Sequence, residues 1–109
     1  PPRSTLFPYT TLFRSFLSEH ELQKARQIDH SLQNTAKRIY RSEAKFRDLE
    51  TLAHRELLDA GLTPEYFVIR NSESLKSATP EDPNLIILVA ASLGSVRLID
   101  NIRISLADH

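Results

Sequence analysis

Between Leu22 and Ala60 apolar residues return every three or four positions, and beyond Thr63 that rhythm stops. This change of period constrains the fold more than any other feature of the chain. Leu22, Ala25, Ile28, Leu32, Ala36 and Ile39 fall on one stripe of a helix, because 3.6 residues make a turn. Ser18-Glu19-His20-Glu21 in front of them reads as a capping box. The serine side chain can accept from the Glu21 amide while the Glu21 carboxylate returns to Ser18. The pattern predicts a helix from about Glu19 to about Tyr40. Phe46, Leu49, Leu52, Ala53, Leu57 and Ala60 predict a second helix. Gly61 follows where a left-handed cap is needed, and Leu62 can fold back onto the last turn. A short polar joint between two amphipathic helices predicts an antiparallel pair.

Thr63-Pro64-Glu65 is expected to break the chain. Tyr66–Arg70 is rich in aromatic and β-branched residues and predicts a strand. Asn71–Asn84 is polar, carries Pro80 and Pro83, and predicts a loop, with one helical turn expected at Ser72–Leu75. Leu85–Leu93 is a continuous apolar run, as in a strand buried on both faces. Gly94-Ser95 is a turn signal, and Val96–Leu106 alternates loosely as the returning strand. The expected fold class is α+β: two amphipathic helices packed on one face of a small antiparallel three-stranded sheet.

The 109 residues allow one small domain. Fourteen basic residues balance fourteen acidic ones, which argues against a nucleic-acid or anionic-membrane partner. No cysteine is present, so disulfides, thiolate nucleophiles and cysteine metal sites are excluded. Gly61 and Gly94 are the only glycines, too few for a glycine-rich phosphate loop. No apolar run approaches the ~20 residues that span a bilayer. A cytoplasmic setting fits these features.

The first fifteen residues, PPRSTLFPYTTLFRS, follow neither period and repeat Thr-Leu-Phe. They lack the charged start, apolar middle and cleavage site of a signal peptide. All fifteen are what a common short-read sequencing adapter encodes in one frame. With no methionine in the chain, the expectation is a truncated gene fused to adapter-derived residues 1–15, with the native domain at 16–109. Setting aside Arg3 and Arg14 leaves the remainder mildly acidic.

Leu88–Asn101 reads LVAASLGSVRLIDN. It resembles the C-terminal hairpin of the pantothenate synthetase (pantoate–β-alanine ligase) family, an apolar strand ending Ala-Ala-x-Leu-Gly followed after two residues by Arg-Leu-Ile-Asp-Asn. Gly61-Leu62 through Tyr66–Arg70 resembles the family's helix end and first C-terminal strand. Phe16-Leu17-Ser18 resembles the Tyr-Leu-Ser that opens its C-terminal domain. The resemblance implies a ligase that activates pantoate with ATP as a pantoyl adenylate, magnesium being expected, and then lets β-alanine displace AMP. It places that chemistry in an N-terminal Rossmann-like domain bearing His-x-Gly-His and Met-Ser-Ser-Arg-Asn, neither of which occurs in this chain. What remains resembles the smaller domain, a lid that shields the acyl adenylate from water. Its implied partner is the missing N-terminal domain. Catalytic, cofactor-binding and metal residues are therefore expected to be none in this stretch, and the fragment is expected to be inactive alone. The alternative is a small non-catalytic module that binds a partner protein through its helical face.

Three sets of side chains invite a functional role. His20 and His54, with Glu21 or Glu56, could be imagined as metal ligands, but zinc wants three or four ligands with a supporting shell. Lys37, Arg38, Arg41, Lys45 and Arg47 cluster at the interhelix joint, interleaved with Glu43, Asp48 and Glu50. A solvated face that also favours the helix dipole is the plainer reading. Arg97, Asp100 and Asn101 could line a cleft, or could stabilise the hairpin, Arg97 pairing a carboxylate and Asn101 bonding backbone. The structural role is expected. A hydrolase triad has no nucleophile elbow to support it.

Overall fold

The computed structural model describes residues 18–106. The adapter-like residues 1–15 lie outside them. The order is α1 (Glu19–Tyr40), α2 (Phe46–Asp59), β1 (Thr63–Asn71), β2 (Asn84–Leu93) and β3 (Val96–Ser105). The strands form one antiparallel meander, β1-β2-β3. The α+β class and the helix pair on one sheet face stand as expected.

α1 begins where the capping box sets it. The Ser18 side chain accepts from the Glu21 N–H at 3.1 Å, and Glu21 accepts from the Ser18 N–H at 3.0 Å. That backbone bond, and then the Ser18 hydroxyl, hold the Glu21 carboxyl below its ordinary pKa. All six apolar positions of the predicted stripe are buried. Ser31 and Thr35 are buried beside them. The Ser31 hydroxyl donates to Glu56 on α2 at 3.2 Å and accepts from Gln27 at 3.0 Å, so a small polar residue joins the two helices without an unmet hydrogen bond.

Both helices end in the same motif. At α2 the Leu62 N–H bonds the Leu57 carbonyl and the Gly61 N–H bonds the Leu58 carbonyl, each at 3.0 Å, with Gly61 at φ +95. Leu57 and Leu62 are both buried, as this Schellman cap favours. At α1 the equivalent bonds run from Glu43 to Arg38 and from Ser42 to Ile39, but the left-handed residue is Ser42, at φ +53. A Cβ added at Gly61 would lie 3.3 Å from the Lys24 amine. That amine, contributed by α1, therefore stands at the negative end of α2, which has no basic residue in its own last turn.

α1 lies over β3 and β2, and α2 lies over β1. Inward rows alternate along the strands: Phe67 and Ile69 on β1; Leu85, Ile87, Val89, Ala91 and Leu93 on β2; Leu98, Ile102 and Ile104 on β3. Leu52, expected on the buried stripe of α2, is instead 40% exposed. α2 sits at the margin of the layer, so only Leu49, Ala53 and Leu57 are fully covered.

The expected break at Thr63–Glu65 is not one. Thr63 and Pro64 pair with Ser92 and Ala91, and a bulge falls between Pro64 and Tyr66. An edge strand admits proline because one side of its ladder is unpaired. The single helical turn expected at Ser72–Leu75 is present as an α-turn, closed by the Leu75 N–H to the Asn71 carbonyl at 2.9 Å and not continued into a helix. The Asn71 side chain accepts from Glu73 and Ser74. Past this turn the chain runs back along β1: Ala78 donates to Ile69, and Asn71 donates to Lys76. The Ile69 N–H meets Glu50 of α2 at 2.7 Å. Part of the β1 edge is thus closed by its own loop and one helical carboxylate. Asp82 accepts from the Thr79 N–H at 2.9 Å, which holds its pKa down.

Replacing Ser42 by glycine should raise stability by about 0.5–1 kcal/mol, because a side chain at positive φ carries a steric cost. Ser18→Ala should lower it by about 1 kcal/mol. Thermal melts check both; a destabilised Ser42→Gly would contradict the cap assignment.

Candidate functional site

Alternation along β3 divides the motif-bearing residues between the two faces of the sheet. Leu98 and Asp100 point toward the helices, and Arg97, Ile99 and Asn101 lie on the outer face, opposite Ser92, Ala90 and Leu88. Asp100 is only 1% exposed, in register with Val89. Its Oδ1 accepts from the Asn101 N–H at 2.8 Å. A carboxylate held within the helix–sheet layer cannot line an open cleft; it organises the backbone of its strand. In this bond it is the Asp100 side chain, and not that of Asn101 as expected, that engages the backbone.

Arg97 reaches across β2 to Glu65 on β1. The bond is bidentate, Nε at 2.8 Å and Nη2 at 3.1 Å. Glu65 occupies the bulge, so the irregularity in β1 places a carboxylate where β3's arginine can hold it. The bond to Arg97 pulls the Glu65 pKa below its usual value, and Glu65 raises that of Arg97. The sequence showed Arg97 seeking a carboxylate, but which one depends on the bulge.

The histidines do not converge. His20 is exposed in the first turn of α1, and His54 lies on α2 beside a groove of about 470 Å³ against β1. Glu21 serves the cap and Glu56 accepts from Ser31. Among the described residues no three His, Cys, Asp or Glu side chains form a group that could hold a metal ion.

The basic residues at the joint spread rather than focus. Lys37 and Arg38 sit in the last turn of α1, where the dipole favours them. Arg41 pairs loosely with Glu43 at 3.6 Å, both well exposed. Lys45 and Arg47 border a hollow of about 540 Å³ whose other walls include Ile39, Phe46, Ala78, Pro80 and Leu106.

These features define an α+β module in which the most distinctive hairpin residues serve the sheet itself. The chain belongs to the pantoate-beta-alanine ligase family, whose model matches residues 14–103. The match covers most of the expected domain at 16–109 and reaches two residues into the leading segment. The pantothenate synthetases of Pseudomonas fluorescens, Idiomarina loihiensis and Alcanivorax borkumensis are 43%, 39% and 41% identical to it over 91, 90 and 90 residues. Those stretches cover 84%, 83% and 83% of this chain and 32% of each relative. The chain thus spans about a third of the length of the curated relatives it matches.

Asp100→Ala should lower stability by about 1–3 kcal/mol, the cost of a lost partner in a buried polar site. Asp100→Asn, which keeps an acceptor, should cost less; equal melts for wild type and Asp100→Ala would contradict the assignment. Glu21, Glu65 and Asp82 all have depressed pKa values. Their contribution is complete above the ordinary carboxylate range of about 3.9–4.3 and is lost as pH falls through the lower folded values. The melting temperature should be level from about pH 7 to 5 and fall below about pH 4. The fall should be shallower in Glu65→Gln, and an unchanged slope there would refute the role given to the Arg97 pair.

Proposed function

We propose that residues 16–109 are the C-terminal lid domain of an ATP-dependent ligase that joins pantoate to β-alanine through a pantoyl adenylate. The observation that carries this is the family match over residues 14–103, together with a span of only a third of the relatives' length. A carboxylate is a poor acyl donor, so activation as an adenylate supplies the leaving group. The intermediate then needs protection from water until the amine arrives. A rigid two-layer domain can do this by closing over a neighbouring nucleotide site.

On this reading the domain supplies cover and positioning, and the preceding domain supplies phosphate binding and chemistry. No His-x-Gly-His and no Ser-Arg-Asn occurs in the chain. Arg14-Ser15 is not credited with ATP binding. No step is assigned to a metal on this domain. The parent ligase would work in the cytoplasm, which suits a chain without cysteine. No helix among the described residues is long and apolar enough to cross a membrane.

The chain alone should form no pantothenate from pantoate, β-alanine and ATP. The Pseudomonas fluorescens relative, with its matched stretch replaced by residues 16–106, should form it. Turnover by the chain alone would overturn the division of labour. A folded but inactive replacement would overturn the role given to the domain.

A further inference from the structure

The hollow at the joint between the helices has walls that the domain's own packing leaves uncovered. Its volume of about 540 Å³ falls within the range of small-molecule sites, roughly 300–1,000 Å³. Ile39 comes from the end of α1, Phe46 from the start of α2, Ala78 from the loop after β1 and Leu106 from just past β3. Ile39 is buried in the core, and Phe46, Ala78 and Leu106 are half-buried against it. The apolar walls are therefore continuous with the domain interior. Backbone bonds hold two of them in place: the Ala78 N–H donates to the Ile69 carbonyl at 3.2 Å, and the Leu106 N–H to the Pro83 carbonyl at 2.7 Å. A cavity already formed in this way spends little ordering on a ligand.

The rim is cationic. Lys45 and Arg47 are the charged side chains that line the hollow, and Ser42 adds a hydroxyl. No carboxylate among the described residues lines it, and none pairs with Lys45 or Arg47. The acidic groups nearby are engaged elsewhere. Glu43 lies against Arg41 at 3.6 Å, and Glu50, on the adjoining recess, accepts from the Ile69 N–H at 2.7 Å. Asp48 follows Arg47 in the first turn of α2 without lining the hollow. What complements this site is therefore apolar along its length and anionic at one end.

The 22 residues of α1 set this end of the domain about 33 Å from Ser18. A polypeptide preceding Ser18 enters at the other end, beside the β2–β3 turn, where a Cβ at Gly94 would lie 3.9 Å from the Glu21 carboxylate. We propose that the hollow binds a medium-chain aliphatic carboxylate. The tail covers Ile39, Phe46, Ala78 and Leu106, and the head group meets Lys45 and Arg47, whose guanidinium can hold both carboxylate oxygens. A short anion satisfies the rim and leaves the void unfilled. An uncharged chain fills the void and leaves the two cations unmatched. The site belongs to this domain's own residues and does not depend on the ligase reading.

Octanoate titrated into the isotope-labelled full chain, followed by amide chemical shifts, tests it. Saturable shifts should be confined to the α1–α2 joint, Ala78 and Leu106, with β2 and the β2–β3 turn unmoved. Decanoate should bind about tenfold more tightly and hexanoate about tenfold more weakly, because each pair of buried methylenes contributes roughly that factor. Octanol, which has the chain without the charge, should bind roughly tenfold more weakly or worse. Inorganic phosphate should give no saturable shift at the joint. Lys45→Gln with Arg47→Gln should weaken octanoate by about tenfold or more while the melt stays that of the wild type. Ala78→Leu, which narrows the void, should weaken it as well; if that variant does not fold, the Lys45 and Arg47 pair still decides. Equal affinity for octanol, affinity that ignores chain length, or an unaltered affinity in the double variant overturns the proposal. Binding seen only after residues 107–109 are removed would assign the hollow to the chain's own end, and shifts that vanish without residues 1–15 would assign the octanoate to the leading segment. Either result overturns it too.

Discussion

Everything in this domain leans on the inward row of β2. Leu85, Ile87, Val89, Ala91 and Leu93 lie beneath the helices and between Phe67 and Ile69 on one side and Leu98, Ile102 and Ile104 on the other. Full burial of a Leu or Ile side chain is worth about 1.5–3 kcal/mol, so this row outweighs anything the surface charges contribute. An exposed pair such as Arg97–Glu65 adds little by comparison. Its use is directional, tying β3 to β1 across the central strand where the bulge would otherwise loosen the edge.

The same alternation explains why the most recognisable part of the chain is mechanically ambiguous. Arg97, Leu98, Ile99, Asp100 and Asn101 form one continuous motif, yet they face two environments. Of the inward members, Leu98 joins the core and the Asp100 Oδ1 accepts from the Asn101 N–H, while its buried Oδ2 has no hydrogen bond among the described residues. Of the outward members, Arg97 is tied to Glu65 across the central strand and Ile99 is 53% exposed.

Much of the architecture was legible before any coordinates. Periodicity placed α1 at about its observed bounds because a capping box marks its start and the buried stripe runs out at Ile39. The α2 cap was legible because glycine occupies it. The α1 cap was not, since Ser42 takes the same left-handed role and carries no such signal. Proline misled at position 64, where an edge strand and an adjacent bulge accept it. Leu52 misled because periodicity shows a stripe but not how wide a neighbour covers it. The site was less legible still. Arg97 needed a carboxylate, but Glu65 was found only through the bulge. Nor does local sequence signal that Glu50 caps the Ile69 amide, a contact between residues nineteen apart.

We propose that residues 16–109 are a self-supporting unit whose core is β2 under two helices. Native-state hydrogen exchange on that stretch, compared with the full chain, tests this most directly. The amides of Leu85–Leu93 should be the slowest to exchange, opening together with those of α1 at the free energy of global unfolding, and their protection should be the same in both proteins. Loss of that protection when residues 1–15 are removed would contradict the account, because the leading segment would then belong to the fold.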